Sequence, residues 1–193
     1  MHYPDVYLLR HGQTEWNVAS RLQGRFDSAL TEKGQAQAAR QRDILARLWP
    51  DVAPLSVFCS PQGRAQSTAQ IAFEGLDVDV KADARLKEIS AGSWDGTYLD
   101  EIERTNAPLF EQARNAFELM FLAPDGEGEA AVSGRCKSVL ADLTGPSVLV
   151  THGATLCVLR GLLCGLSFEE TLDLGHEQGC VYAIKSGIET ILR

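Results

Sequence analysis

Residues 6–12 of the chain read VYLLRHG, and this short segment decides the fold class. Four apolar residues in a row are typical of a buried β-strand, because both faces of a central strand are covered. Arg10 and His11 follow where the strand ends, and Gly12 allows the backbone to turn sharply and to approach a ligand closely. The segment therefore predicts a core strand with polar, chemically competent side chains at its carboxyl end.

Two later segments repeat this arrangement of an apolar run followed by polar residues. Residues 55–61 read LSVFCSP, and residues 147–153 read SVLVTHG. Candidate helices lie between these runs, and strands that alternate with helices predict an α/β fold. We expect a three-layer α/β/α architecture with a mostly parallel central sheet, in a single domain over residues 1–193. Ligands bind beyond the carboxyl ends of the strands in such sheets, where the polar residues of the three segments would meet.

The sequence also predicts where the main helices lie. Thr31 is a candidate N-cap for a helix that runs to about Leu48 and is ended by Trp49 and Pro50. Three more helices are expected over residues 63–73, 132–143 and 155–164. Two final strands are expected over residues 180–184 and 189–192.

Residues 92–128 differ from the rest of the chain and predict a small helical insertion. Glycine-containing turns bound the span, and apolar residues inside it fall at helical spacing. These residues are Phe110, Ala113, Phe117, Met120 and Phe121. The structural interpretation is a helix packed on the core, and the functional one is a lid over the active site; both can hold together. Four aromatic residues either line the mouth of that site or pack the core: Trp94, Tyr98, Phe110 and Phe117.

The composition excludes several classes of partner. The formal net charge is -8, so the basic surface that a nucleic acid or an anionic membrane requires is missing. No apolar run reaches the roughly 20 residues of a membrane-spanning helix, and the first residues lack the features of a signal peptide. The 5 cysteines include no C-x-x-C pair, which favours buried, reduced thiols. We expect a cytoplasmic protein; the sequence does not define an oligomeric state.

Two of the 4 histidines, His11 and His152, follow strand ends and precede a glycine. A metal site would need a third ligand at a recognisable spacing, such as H-x-x-x-H or a cysteine pair, and the sequence has none. Arg10 is also an unfavourable neighbour for a cation, whereas a guanidinium binds phosphate oxygens in a bidentate manner. We therefore predict an anion site that uses neither a metal ion nor a cofactor.

These residues belong to longer motifs that occur in a fixed order along the chain. The motifs are RHGQTEWN at residues 10–17, RLQG at 21–24, LTEKG at 30–34, SPQGRAQSTA at 60–69, Glu88 with GSWDG at 92–96, and VTHG at 150–153. Together they resemble the histidine phosphatase superfamily, the phosphoglycerate-mutase-like enzymes, over essentially the whole chain. The chain departs from the usual family pattern at residues 128–130, GEA, and at residues 178–180, QGC.

The resemblance implies that His11, Glu88 and His152 are catalytic. His11 would attack phosphorus and carry the phosphoryl group as phosphohistidine. Glu88 would protonate the leaving oxygen and then activate water, although the nearby Asp83 and Asp95 compete for this role. His152 would hold phosphate oxygens, whose negative charge must be stabilised in the transition state.

The resemblance further implies a set of residues that bind the phosphate and the rest of the substrate. These are Arg10, Arg64, Asn17, Gln23, Gly24 and Gly153. Arg64 has a simpler interpretation as a surface arginine, but its place just beyond a strand end favours the functional one. His2 and His176 are interpreted as structural or solvated.

Three functions are compatible with these residues. A phosphatase lets water take the phosphoryl group, a mutase returns it to a sugar-acid hydroxyl, and a binding module holds phosphate without turnover. The binding module is disfavoured because no catalytic position is replaced. Residues 92–128 hold eight acidic and two basic residues, a net charge of -6, whereas the family's mutases have a longer and more basic insertion. We expect a phosphomonoesterase for a small phosphorylated metabolite. If acidic residues surround the mouth of its site, substrates that carry a second anionic group are disfavoured by charge repulsion.

Overall fold

The structure is a computed structural model that describes residues 3–52 and 56–193, with the backbone alone for residues 50–52. The strands in this part of the chain are β1 Val6–Arg10, β2 Ser56–Cys59, β3 Val80–Ala82, β4 Ser147–Thr151, β5 Val181–Lys185 and β6 Ile188–Leu192. The α-helices are α1 Glu15–Val18, α2 Glu32–Val52, α3 Gly63–Ala72, α4 Leu99–Thr105, α5 Ala107–Gln112, α6 Ala116–Phe121, α7 Gly128–Ala141, α8 Gly153–Cys164 and α9 Phe168–Leu172.

The strands form one sheet in the order β3-β2-β4-β1-β5-β6. β1 pairs in parallel with β4, so that Val6 lies opposite Ser147 and Arg10 lies opposite Thr151. β2 runs parallel to both β3 and β4, whereas β5 is antiparallel to β1 and to β6. The predicted mostly parallel sheet is therefore confirmed, with β5 as the strand that reverses direction.

Successive side chains of β1 point to opposite faces of the sheet, and each face is buried in its own apolar core. Val6 and Leu8 pack in the core that includes residues of α7 and α8, together with apolar residues of the insertion. Tyr7 and Leu9 pack in the core that includes residues of α2 and α3. The unbroken apolar run at residues 6–9 follows from this three-layer α/β/α arrangement, which confirms the predicted single-domain fold class.

Several helix limits differ from the prediction. α2 does not end at Leu48 but continues through Pro50 to Val52. A proline removes one backbone donor, and this close to the end of a helix the loss affects only the final turn. α8 begins at Gly153, earlier than predicted, because His152 already serves as its N-cap in an extended conformation. Leu55, the predicted first residue of the second strand, and His2 lie outside the described residues.

The insertion is not one helix but three short ones, α4, α5 and α6, and the predicted helical spacing is broken between the last two. Ala113 ends α5 in an extended conformation, and Asn115 starts α6 by accepting a hydrogen bond from the amide of Glu118 at 2.9 Å. An asparagine in this position favours a new helix over the continuation of the old one, because its side chain satisfies a free backbone donor.

The cysteines match the predicted reduced thiols. All five are free, and only Cys164 among them is partly exposed. Burial raises the pKa values of Cys59, Cys136 and Cys157 to about 12, so these thiols are poor nucleophiles at neutral pH. Within the described ranges, no helix has both the length and the apolar character needed to cross a membrane.

Candidate active site

The site forms where the carboxyl ends of β1, β2 and β4 meet. The amide of His11 donates to the carbonyl of Thr151 at 3.0 Å, and the amide of Ser60 donates to the carbonyl of Val150 at 2.9 Å. The parallel pairing therefore continues one residue beyond each strand and places His11, Ser60 and His152 side by side. The His11 and His152 rings lie 5.1 Å apart between centroids. A cavity of about 200 Å³ opens next to them.

His11 is held in one tautomer by its neighbour. Its Nδ1 lies 2.8 Å from the carbonyl oxygen of Gly12. A carbonyl oxygen only accepts, so Nδ1 carries the ring hydrogen and Nε2 keeps its lone pair. The Gly12 backbone is fixed in turn, because its amide donates to Thr68 Oγ1 at 3.0 Å. A Cβ at Gly12 would lie 2.2 Å from the carbonyl oxygen of Gly34, so only glycine fits there.

Both site histidines are neutral at physiological pH. Burial, followed by the charges of Arg10 and Arg64, lowers the pKa of His11 well below its ordinary value of 6.5. Burial and the charge of Arg64 lower the pKa of His152 in the same direction. A neutral imidazole whose Nδ1 is already protonated presents Nε2 as a nucleophile without prior loss of a proton.

The lowered pKa values predict a loss of stability in acid. The unfolded histidines protonate near pH 6.5, whereas the folded ones stay neutral to a lower pH, so the unfolded state binds more protons below 6.5. The contribution of these two histidines to the free energy of unfolding is fully present above pH 6.5. It falls as the pH drops from there toward the pKa values of the folded state. Each histidine contributes at most about 1.4 kcal/mol per pH unit. Urea unfolding at pH 7.5 and 5.5 checks this, and His152→Gln is expected to show a smaller difference between the two than the wild type. An equal difference in both proteins would contradict the cited shift of His152.

Two buried arginines lie beside the histidines. Arg64 is 2% exposed, and its Nη1 donates to the carbonyl of Phe26 at 2.6 Å and to Asp27 Oδ1 at 2.8 Å. Arg10 Nη1 donates to the carbonyl of His176 at 2.7 Å. These contacts hold both guanidinium groups against the cavity that they line. They supply positive charge in a desolvated setting, which suits a phosphate group.

Unsatisfied nitrogen atoms cluster around this cavity. Six buried side-chain atoms in the described residues have no hydrogen-bond partner; three of them belong to residues that line the cavity, and a fourth belongs to His152, next to His11. These four atoms are Arg10 Nε, Arg64 Nε, His152 Nδ1 and His176 Nδ1. Buried polar groups without partners are rare in proteins, so their concentration at one place points to a ligand with several acceptor oxygens.

Glu88 lines the cavity and lies at the N-terminus of α8. Its Oε2 accepts from the amide of Ala154 at 3.2 Å, and its Oε1 accepts from the amides of Ile89 and Thr155 at 3.0 and 3.2 Å. Oε2 therefore has fewer hydrogen-bond partners than Oε1. The Thr155 hydroxyl also lies 3.3 Å from Oε1.

The two other acidic candidates lie elsewhere. Asp95 accepts from Ser90 Oγ at 2.7 Å and from the amide of Ala91 at 2.8 Å, and its side chain is fully buried in that loop. Asp83 pairs with Arg85 at 2.7 Å. Neither lines the cavity, so the geometry favours Glu88 among the three.

The remaining predicted residues also lie around the cavity. Asn17 Oδ1 accepts from the amide of Thr14 at 3.1 Å, and Gln23 Oε1 accepts from Ser28 Oγ at 3.2 Å. The Gly24 carbonyl accepts from Arg64 Nη2 at 3.0 Å, and its φ of 47° lies in the left-handed region that favours glycine. Gly153 starts α8, where a Cβ would lie 3.4 Å from Arg10 Nε.

Two residues of the site were not predicted. His176, interpreted from the sequence as structural or solvated, lines the cavity. Gln178 Nε2 donates to the carbonyl of His11 at 3.0 Å and to Asn17 Oδ1 at 3.3 Å. Both lie in a segment without apolar periodicity, and the sequence offers no signal that this loop folds back against β1.

The insertion contributes one wall of the cavity, and that wall is apolar. Its residues there are Leu99, Ala116, Phe117 and Met120, and none of the eight acidic residues is among the lining residues. The premise that acidic side chains surround the mouth is therefore wrong. Several of them are engaged elsewhere: Asp125 accepts from Ser93, Glu118 pairs with Arg114, and Glu127 pairs with Arg135. Of the four aromatic candidates, Phe117 lines the cavity, whereas Trp94 and Phe110 pack against the core.

Metal coordination receives no support from the donor arrangement. Across the described ranges, no group of three or more His, Cys, Asp and Glu side chains is arranged to hold a metal ion.

Comparison with known proteins gives one consistent result. Residues 6–189 match the family model described as Histidine phosphatase superfamily (branch 1). A Cronobacter sakazakii protein named "Probable phosphoglycerate mutase GpmB" is 36% identical over 166 residues, which cover 83% of this chain and 75% of the relative. The alpha-ribazole phosphatase from Shigella flexneri is 28% identical with a TM-score of 0.79, covering 98% of this chain and 94% of that one. A mycobacterial glucosyl-3-phosphoglycerate phosphatase in complex with VO3 is 30% identical with a TM-score of 0.80, covering 93% and 92%.

Proposed function

Since the chain belongs to branch 1 of the histidine phosphatase superfamily, we propose that it is a phosphomonoesterase for a small phosphorylated metabolite. Its solved relatives include phosphatases named for small phosphorylated compounds. The observation that carries the proposal is the neutral His11, whose Nδ1 hydrogen is held by Gly12 and whose Nε2 is left for the substrate beside Arg10 and Arg64.

The first step transfers the phosphoryl group to the enzyme. Nε2 of His11 attacks phosphorus, and a P–N bond forms as the ester P–O bond breaks. The leaving oxygen takes a proton from Glu88 and departs as an alcohol. The ring becomes positively charged, and the Gly12 carbonyl, which accepts from Nδ1–H, stabilises that charge. Arg10, Arg64 and His152 stabilise the negative charge on the equatorial oxygens, and Asn17 adds a neutral amide to the same wall.

The second step returns the enzyme to its starting state. Glu88, now a carboxylate, takes a proton from water as the water oxygen attacks phosphorus. The P–N bond breaks, inorganic phosphate leaves, and His11 regains the Nε2 lone pair. The backbone amides of Ala154 and Thr155 donate to its oxygens at the N-terminus of α8 and hold the carboxylate in position at this stage.

A mutase is the second candidate, and the similarity to GpmB is the observation in its favour. A mutase must grip a carboxylate and a second phosphate besides the transferred one. Beyond Arg10 and Arg64, the cavity lining holds one further cation, Arg21, whose Nε already donates to the carbonyl of Gly96. The insertion adds only apolar residues there, so the phosphatase remains the better-supported function. The binding module is disfavoured because all the residues for turnover are present.

A hydrolysis panel of phosphate esters tests this function, and activity is expected to be unchanged by EDTA. The proposed steps use only side chains and water, so removal of divalent ions should alter kcat/KM by less than about twofold. Inorganic phosphate release is measured with and without EDTA, and a 3-phosphoglycerate sample is checked for 2-phosphoglycerate. Full loss in EDTA that is restored by zinc or magnesium would overturn the metal-free mechanism. Efficient isomerisation with little phosphate release would favour the mutase.

A further inference from the structure

The wall that the insertion contributes to the cavity defines a second recognition surface, separate from the phosphate end. Phe117 and Met120 are its most buried members, at 5% and 8% exposure, and Leu99 and Ala116 extend it. Large apolar side chains that remain at a cavity wall beside buried charges are typical of a site for an organic ligand. We refer to these four residues as the apolar wall.

The aromatic member of the apolar wall is held rigidly. The Phe117 ring meets Phe121 edge to face, with 5.3 Å between centroids, and Phe121 meets Phe168 in the same way at 5.1 Å. The Phe117 ring also lies 6.0 Å from the ring of His176 between centroids. Edge-to-face contacts of this kind fix ring orientation, so Phe117 presents a constant surface to whatever enters the cavity.

Few charges remain on this side of the cavity. Arg10 and Arg64 lie at the histidine end, and Arg21 is the other lining cation. The Arg21 guanidinium stacks over Trp16, 3.7 Å from the ring centroid, and its Nε donates to the carbonyl of Gly96. The apolar wall itself offers neither a hydrogen bond nor a counter-ion, so a charged group of the leaving alcohol placed against it would lose water without compensation; Arg21 is the one lining cation outside the histidine end that could pair with such a group.

We propose, on the basis of the phosphatase function above, that the preferred substrates are monoesters whose alcohol part is uncharged and apolar, with an aromatic or branched aliphatic group against Phe117 and Met120. Phe117 and Met120 are specificity-determining residues in this proposal, and they act on the alcohol part and not on the phosphate.

Three alkyl esters with similar leaving groups provide the test: 2-phenylethyl phosphate, glycerol 3-phosphate and 3-phosphoglycerate. Their chemistry at phosphorus is alike, so differences in kcat/KM report recognition of the alcohol part. The phenylethyl ester is expected to exceed glycerol 3-phosphate by about tenfold or more, the range that small apolar groups contribute in a fitted pocket. The 3-phosphoglycerate value is expected to be the lowest.

Variants assign the preference to the apolar wall. Met120→Gln keeps the length of the side chain and adds an amide, and Phe117→Leu removes the ring. Each is expected to lower the ratio of kcat/KM for 2-phenylethyl phosphate over glycerol 3-phosphate by about fivefold or more. Phe110→Leu makes the same chemical change in the insertion away from the cavity and should keep the ratio. Because each ratio is measured within one sample, it does not depend on the fraction of folded protein.

The outcomes separate the two proposals. If no ester is hydrolysed and no phosphoenzyme forms, the phosphatase function itself is wrong. Hydrolysis with equal kcat/KM for the three esters, or ratios unchanged in both wall variants, would overturn the apolar specificity while the phosphatase function stands. A preference for 3-phosphoglycerate would also overturn it and would assign Arg21 to carboxylate binding.

Discussion

Replacing His11 with alanine is expected to lower kcat by roughly four orders of magnitude or more, because the variant loses the atom that bonds to phosphorus. The neighbouring groups remain: Arg10 and Arg64 are held by backbone carbonyls and Asp27, none of which His11 contacts through its ring. The phosphate site should therefore persist in the variant without its nucleophile.

Two measurements check this expectation. Wild-type enzyme quenched during turnover of a ³²P-labelled ester should carry a label that is lost in acid and kept in base, and His11→Ala should carry none. Inorganic phosphate should still raise the melting temperature of His11→Ala, which serves as the control for an intact site. Normal turnover by this variant, or a label that survives in it, would end the phosphohistidine mechanism.

Replacing Glu88 with glutamine is expected to slow esters of alkyl alcohols by about 10²- to 10⁴-fold, and p-nitrophenyl phosphate far less. An alkoxide is a poor leaving group and needs a proton, whereas p-nitrophenolate leaves without one. The glutamine keeps an acceptor oxygen for the α8 amides, so the local structure should be retained. The measurement is kcat/KM for both ester types in the wild type and the variant.

Asp95→Asn is the matched control for Glu88→Gln. Both changes replace a carboxylate by its amide within the same stretch of chain, but Asp95 accepts from Ser90 and Ala91 outside the cavity. Any effect of Asp95→Asn should fall equally on the two ester types. If Glu88→Gln also slowed both types equally, the proton donor would be another group.

The sequence was sufficient for the sheet and for the proximity of the two histidines at its edge. The runs at residues 6–9 and 148–150 are apolar at every position, and such a run indicates a strand that is covered on both faces. A polar residue directly after such a strand reaches the sheet edge whatever the loops do. The positions of His11 and His152 at this edge were predictable for this reason.

The insertion and the loop before β5 were not predictable in the same way. Phe110 and Phe117 fit the same helical spacing, and only the packing of α6 decides that Phe117 reaches the cavity. A count of acidic residues gives the charge of residues 92–128 but not the side to which each carboxylate points. No sequence pattern around His176 indicates that it reaches the cavity. Its position depends on a long-range contact, the hydrogen bond that Arg10 donates to its backbone carbonyl.

The pairing of β1 with β4 has a consequence for how this protein gains activity during synthesis. His11 and His152 come from segments far apart in the sequence, and they become neighbours only when Arg10 pairs with Thr151. All of the intervening chain must be synthesised before this register can close, and such non-local pairing is slow. A ribosome-bound nascent chain that stops short of β4 thus carries His11 without His152 beside it. The appearance of turnover would report closure of the central sheet more directly than helix content does.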